Sequence, residues 1–232
     1  MAKKKKNSNY VTEKTENAKV AKEAEARKEQ IKKIVKKALP LLLASLALVG
    51  VLIGFAFMIG IFDYYPEATE YVYINVEYGD GETASLHVEL YGNDAPDTVK
   101  HFTELAEQGY FDGMYLHKLL DGCLYGGSVT ADGGDKGIKG EFSAAGYENK
   151  ISHKKGIISM ARGEDVNSAY GQFFIVTEDN KDLDGNYAAF AMITEGGMNI
   201  IDELIKLADE NGDIAPSARP RITSIEAHQH SH

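Results

Sequence analysis

The spacing of apolar positions changes twice along the chain. Between residues 12 and 37 they are scattered among Ala, Glu and Lys, with no Gly or Pro, which suits a solvated helix. Residues 1–10, MAKKKKNSNY, hold a lysine run without apolar pattern and are expected to lack structure. Leu41 to Phe62, LLLASLALVGVLIGFAFMIGIF, then carries no charge. A helix buried in a soluble domain normally shows a polar stripe, and this run shows none. As a helix it would reach roughly 33 Å at about 1.5 Å per residue, against a hydrocarbon core of about 30 Å. The pattern predicts a transmembrane helix over 41–62, with Tyr64 and Tyr65 at the interface and a linker over 63–70.

From Tyr71 onward the period becomes two. Tyr71–Tyr78 and Ala84–Tyr91 alternate around Gly79-Asp80-Gly81, a hairpin signal. Asp94 opens a helix running to about Gln108, with Val99, Phe102 and Leu105 on one face. Short strands follow at Met114–Leu120, Cys123–Tyr125, Gly156–Ala161 and Gln172–Thr177. A second helix is expected over about Met198–Ala208 and a closing strand over Arg221–Ala227. About eight strands, two helices and short connections predict a mostly β domain closed into a barrel over 71–227.

Charge sets the topology. Residues 1–40 carry 13 Lys and Arg against 5 Glu, a net of +8, whereas the rest of the chain has a net of −18. Lys32, Lys33, Lys36 and Lys37 precede the apolar run, and Asp63, Glu67 and Glu70 follow it. The positive-inside rule places the N-terminus in the cytoplasm and the barrel outside the cell membrane, on a single uncleaved anchor. So acidic a domain excludes nucleic acid as its partner. One cysteine, Cys123, excludes an intrachain disulfide and has no recognisable base partner. The glycine-rich stretch Val129–Tyr147 does not match a phosphate-cradling motif. His228, His230 and His232 form a His-x-His tail at 228–232, read as solvated rather than metal-binding.

Candidate chemistry lies in the strand Gln172–Thr177. Alternation puts Gln172 and Phe174 on one face and Phe173 and Ile175 on the other. An amide beside an aromatic ring is how a shallow apolar pocket gains one orienting polar group.

The surrounding stretch, SMARGEDVNSAYGQFFI, resembles the central signature of the cyclophilins, the peptidyl-prolyl cis-trans isomerases, which reads SMAR…PNSAGSQFFI in many bacterial members. The resemblance runs collinearly from about Ala84 to Ile225. It includes VELYGNDAPDTVKHFTELAEQGYFDGMYLHK and IKGEF upstream and LDGNYAAFAMITEGGMNIIDEL downstream. It implies a closed eight-stranded barrel with two capping α-helices, here preceded by a charged helix and one transmembrane helix. It also implies that the chain turns X–Pro bonds in proline-containing polypeptides, here exported proteins, with no metal or cofactor.

By the same resemblance, Lys118 stands where the family has its donor arginine, and His117 beside it is structural. The block after Gly122 is one residue shorter than the family's. Cys123 or Leu124 therefore falls where a pocket Phe is found, and Tyr125 falls near an orienting Gln. Ala161, Gln172, Phe174 and Leu183 match substrate-binding positions, Tyr187 stands where the family has His or Tyr, and Asp182 replaces an aromatic. Lysine keeps the charge but loses the planar fork of donors. Two further readings therefore stand beside the enzyme: a module that binds proline-containing segments with little turnover, and an envelope protein whose barrel has lost its ligand.

Overall fold

The computed structural model describes residues 2–58 and 64–227, with side chains over 22–54 and 64–227. The chain divides into two units, Met1–Asp63 and Tyr64–His232.

The first unit is one helix, α1 (Ala2–Met58). It begins earlier than expected and takes in the lysine run, because lysine is a good helix former and no Gly or Pro interrupts residues 2–39. It also passes through Pro40, which has no N–H to give the Lys36 carbonyl and whose ring crowds that carbonyl. By length and composition it can cross a membrane, with a mean hydropathy of 2.1 in its best window. Residues 59–62 of the expected span and the His228–His232 tail lie outside the described residues.

The second unit is an all-antiparallel barrel of eight strands: β1 (Glu70–Tyr78), β2 (Glu82–Leu90), β3 (Tyr115–Leu120), β4 (Cys123–Gly127), β5 (Ile157–Met160), β6 (Gln172–Val176), β7 (Ala188–Ile193) and β8 (Arg221–Ala227). Around the barrel the order is β1-β2-β7-β5-β6-β4-β3-β8, closing on itself. Inward positions alternate along each strand: Val72, Ile74 and Val76 on β1, Leu86, Val88 and Leu90 on β2, Phe173 and Ile175 on β6. Two helices plug the barrel. α2 (Pro96–Glu107) packs on β7 and β8 and inserts Val99, Phe102 and Leu105, while α3 (Glu195–Leu204) packs on β2 and inserts Met198, Ile201 and Leu204. Phe102 meets Phe111, Phe173 and Phe190 with ring centroids 5.0–6.0 Å apart.

A second apolar cluster lies outside the barrel, over β4, β6 and the loops beside them. Cys123, Ala161 and Phe174 belong to it, with Tyr125, Leu183 and Tyr187 packed against it.

Candidate active site

Two local features of β3 and β4 build the site. The hairpin turns through Asp121 (φ 50) and Gly122 (φ 71), both left-handed, as a type I′ turn requires. This fixes Leu120 opposite Cys123 and Lys118 opposite Tyr125. The register also shifts between Leu116 and Lys118, which makes His117 the extra residue of a β-bulge. In an unbroken strand Lys118 would share the inward face of Leu116. The bulge turns it outward instead, so that Leu119 packs towards the barrel core and Leu120 is exposed.

The result is a row of side chains running across the sheet. Lys118 pairs with Tyr125, Tyr125 with Phe174, and Phe174 with Ser159. Phe174 is the floor, 1 % exposed. Tyr125 lies against it at 5.6 Å, and Tyr187 meets it edge-on at 5.3 Å. Gln172 donates its amide N–H to the Ser128 carbonyl at 2.7 Å, which fixes the amide's orientation. Its carbonyl oxygen has no protein partner among the described residues.

The structure therefore gathers Lys118, Cys123, Tyr125, Ala161, Gln172, Phe174, Leu183 and Tyr187 on one outer face. Leu124 does not belong with them: it points into the barrel core, fully buried, because it lies between two outward residues on β4. Of the two candidates for the missing Phe, Cys123 is the one that faces the cluster. Burial pushes its thiol up to about 11, so it is neither charged nor nucleophilic at neutral pH. Burial likewise pushes the Tyr125 phenol up to about 12, helped by Cys123 and Tyr187, so Tyr125 is a hydrogen-bond donor at any physiological pH.

Lys118 is half-buried, and its ammonium is engaged. It donates to Asp213 Oδ1 at 2.8 Å and to the Asn211 carbonyl at 3.0 Å. His117 Nδ1 lies 3.1 Å from the Tyr115 carbonyl, and burial holds its pKa below the ordinary value, consistent with a structural role for a neutral ring. Among the described residues no group of three or more His, Cys, Asp or Glu is placed to hold a metal ion.

Two supporting arrangements escaped the sequence reading. Arg162 lays its guanidinium over Tyr187 at 5.1 Å and over Phe142 at 5.2 Å, while its Nε donates to the Asn186 carbonyl. It thus clamps one wall. Behind the floor, His153 stacks on Phe174 at 6.2 Å. Its Nδ1 lies 2.8 Å from Asp184 Oδ1 and its Nε2 2.8 Å from Ser159 Oγ. A carboxylate only accepts, so Nδ1 carries the proton and Ser159 donates to Nε2. Burial lowers the His153 pKa against the pull of Asp184. Burial also pushes the Asp184 carboxyl up, but the bonds from the His153 backbone N–H, the Ser152 hydroxyl and the His153 ring outweigh it and hold it low. The order Ser-His-Asp matches an acyl-transfer relay. With Ser159 fully buried beneath the floor, no substrate reaches it, and the chain of bonds serves to anchor the wall that begins at Leu183.

Residues 73–227 match the family model for the cyclophilin type peptidyl-prolyl cis-trans isomerases. A peptidyl-prolyl cis-trans isomerase-like 1 protein of Rhizopus delemar is 37% identical over 129 residues, covering 54% of this chain and 76% of the relative. A peptidyl-prolyl cis-trans isomerase of Helicobacter pylori is 30% identical over 153 residues, 65% of this chain and 88% of the relative. Among solved structures, a cyclophilin type isomerase from Cryptosporidium parvum, crystallised in the presence of the dipeptide Ala-Pro, superposes with a TM-score of 0.56. It is 22% identical and covers 69% of this chain and 99% of that one, a likeness of fold.

Proposed function

Because the chain belongs to the cyclophilin-type peptidyl-prolyl cis-trans isomerase family, we propose that its barrel turns X–Pro bonds in exported polypeptides at the outer face of a membrane held by α1. Amide resonance puts a barrier of roughly 18–20 kcal/mol on that rotation and leaves it slow unaided. Catalysis needs no covalent intermediate. It needs a slot that takes the proline ring, a grip on the flanking peptide, and charge or dipoles that favour the twisted imide over the planar one.

The groove supplies each of these. Phe174, Ala161, Leu183 and Tyr187 supply the apolar side chains of the slot, and since Phe174 is covered by Tyr125 and Tyr187 a proline reaches it only when a phenol swings aside. The Gln172 carbonyl accepts a peptide N–H, and the Tyr125 phenol donates to a peptide carbonyl. Lys118, one ladder step from Tyr125, supplies the positive charge for the imide nitrogen as resonance is lost. The observation that carries this reading is the single row Lys118–Tyr125–Phe174, which sets a cation, a donor and an aromatic floor side by side.

A second reading, a module that holds proline-containing segments with little turnover, is favoured by one specific observation. The Lys118 ammonium is held by Asp213 and Asn211 rather than aimed over Phe174. A protease-coupled isomerisation assay on the full chain in detergent micelles, with catalyst titrated, separates the two. An acceleration proportional to catalyst supports the enzyme. Binding of proline peptides without acceleration supports the module.

Placement outside the cytoplasm is supported by the net +8 of residues 1–40 ahead of the apolar run and by the acidic flank after it.

A further inference from the structure

The side chain that decides where the Lys118 ammonium rests comes from outside the groove. Asp213 forms an isolated antiparallel bridge with Lys118 on the side away from Tyr125. The row therefore reads Asp213, Lys118, Tyr125, Phe174. With about 4.8 Å per ladder step, the backbone of Asp213 stands roughly 14 Å across the sheet from that of Phe174, and a lysine held by Asp213 faces away from a proline on Phe174. Two of the three N–H groups of the ammonium are already used there.

The turn that presents Asp213 is fixed in place. Asp209 Oδ1 accepts the backbone N–H groups of Asn211 and Asp213, at 2.8 and 2.9 Å. Leu119 N–H donates to the Gly212 carbonyl at 2.8 Å. Gly212 has φ 75, and a Cβ there would lie 1.7 Å from the Leu119 carbonyl oxygen, so only glycine lets the turn press this closely on β3. The ion pair itself is exchangeable. Its side chains are 30% and 58% exposed, and pairs so open to water are weak and screened by salt. Asp213 is open enough to water for a second cation to reach it, and Asp209 and Glu210 on the same turn add negative charge there.

We infer that Asp213 is the specificity-determining residue of the groove: it holds the Lys118 ammonium off the imide, and a basic side chain of the substrate takes its place and releases it. The enzyme then prefers proline segments that carry a Lys or Arg within a few residues of the proline. This rests on the isomerase reading above and adds to it the chemistry of the substrate and the control of the donor.

The test uses short Ala-Pro peptides with a Lys, Ala or Glu placed in turn at each of three positions on either side of the dipeptide. Interconversion is followed by NMR exchange with the full chain in micelles, which avoids the sequence bias of a coupling protease. At one position the native chain should turn over the Lys peptide about two- to fivefold faster than the Ala peptide, the size an exposed ion pair allows. Asp213→Asn should abolish that preference by raising the Ala peptide to the Lys rate, and Asp213→Glu should restore it. High salt should flatten the preference in the native chain. A native chain without preference at any position, or an Asp213→Asn variant that keeps it, overturns the inference. If no peptide is accelerated by any variant, the isomerase reading fails instead. Peptide titration then decides on Asp213 alone: tighter binding of the Lys peptide, lost in Asp213→Asn, supports the exchange, and equal binding refutes it.

Discussion

At the scale of single residues, the catalytic role proposed for Lys118 is open to direct test. Lys118→Ala removes the cation of the row and should abolish the isomerisation rate above background. Unfolding free energy should fall by about 1 kcal/mol or less, since an ion pair this exposed contributes little. Lys118→Arg should raise the rate by about tenfold, because five donors in a planar fork serve Asp213 and the imide together where three on one nitrogen cannot. Equal rates for all three forms would move catalysis to other residues. Placing an aromatic at Cys123, where the family has a pocket Phe, is a poor repair. Cys123 is 1% exposed and packed against its neighbours, so Cys123→Phe overfills the cluster and should cost about 1–3 kcal/mol in a denaturant titration. Lys118, Gln172 and Phe174 were legible in the sequence because they sit in recognisable blocks. Asp213 was not, because it lies 95 residues from Lys118 and only barrel closure brings them together. Leu124 was misplaced because the face of each β4 residue depends on a register that the shortened block left open.

At the scale of elements, the β3–β4 hairpin is the part on which the site depends. Its turn needs a left-handed Gly122, and Gly122→Val should cost about 1–2 kcal/mol, with isomerisation lost in greater proportion as Lys118 and Tyr125 slip out of register. A stable variant with native activity would show that the register is held elsewhere. The anchoring of Asp184 gives a pH signature. The folded-state pKa of His153 is depressed, so its contribution is present above the unfolded value of about 6.5 and lost as pH falls below it. Asp184, also depressed, adds a loss at lower pH, as it falls through its own folded value. The thermal midpoint should therefore drop between pH 7 and pH 5, and His153→Gln should flatten that part of the curve. An unchanged slope would mean that His153 does not titrate on unfolding. β1 and β2 were legible from period two, and β5 and β6 from short runs rich in Ile, Phe and Val. β7, Ala188–Ile193, was not assigned as a strand of its own, since Ala188, Ala189 and Ala191 give it little strand propensity and it shows no apolar-polar alternation. α3 begins at Glu195 rather than near Met198, because Gly196 and Gly197 hide its first turn; a Cβ on Gly197 would lie 2.5 Å from the Ile193 side chain.

At the scale of the whole chain, the change of hydrophobic period marked the division into a charged and apolar helix and a barrel, and the structure divides the chain at Asp63 and Tyr64. The residues between them and β1 belong to the barrel more than their linker-like sequence suggests. Tyr64 donates to Asp94 Oδ1 at 2.8 Å, Ala68 packs on the outer cluster, and Thr69 accepts from Gly92 N–H at 2.9 Å. A fragment starting at Tyr64 should thus fold cooperatively, and one starting at Glu70 should be weaker by about 1–3 kcal/mol, because Asp94, 8% exposed, loses its phenol partner. The orientation proposed across a membrane rests on charge rather than on fold. Moving the basic residues of 1–40 across the bilayer would place their net +8 against the potential and away from anionic lipid, whereas the acidic barrel has no such preference for the inside. Protease added to intact cells stripped of outer layers should digest the barrel and leave a fragment containing the first 40 residues, and lysed cells should lose both. Mutating Lys32, Lys33, Lys36 and Lys37 to Gln should weaken that orientation, seen as partial protection of the barrel. Full protection of the barrel in intact cells would put the groove in the cytoplasm and remove exported proteins from its substrates, while leaving the isomerase chemistry untouched.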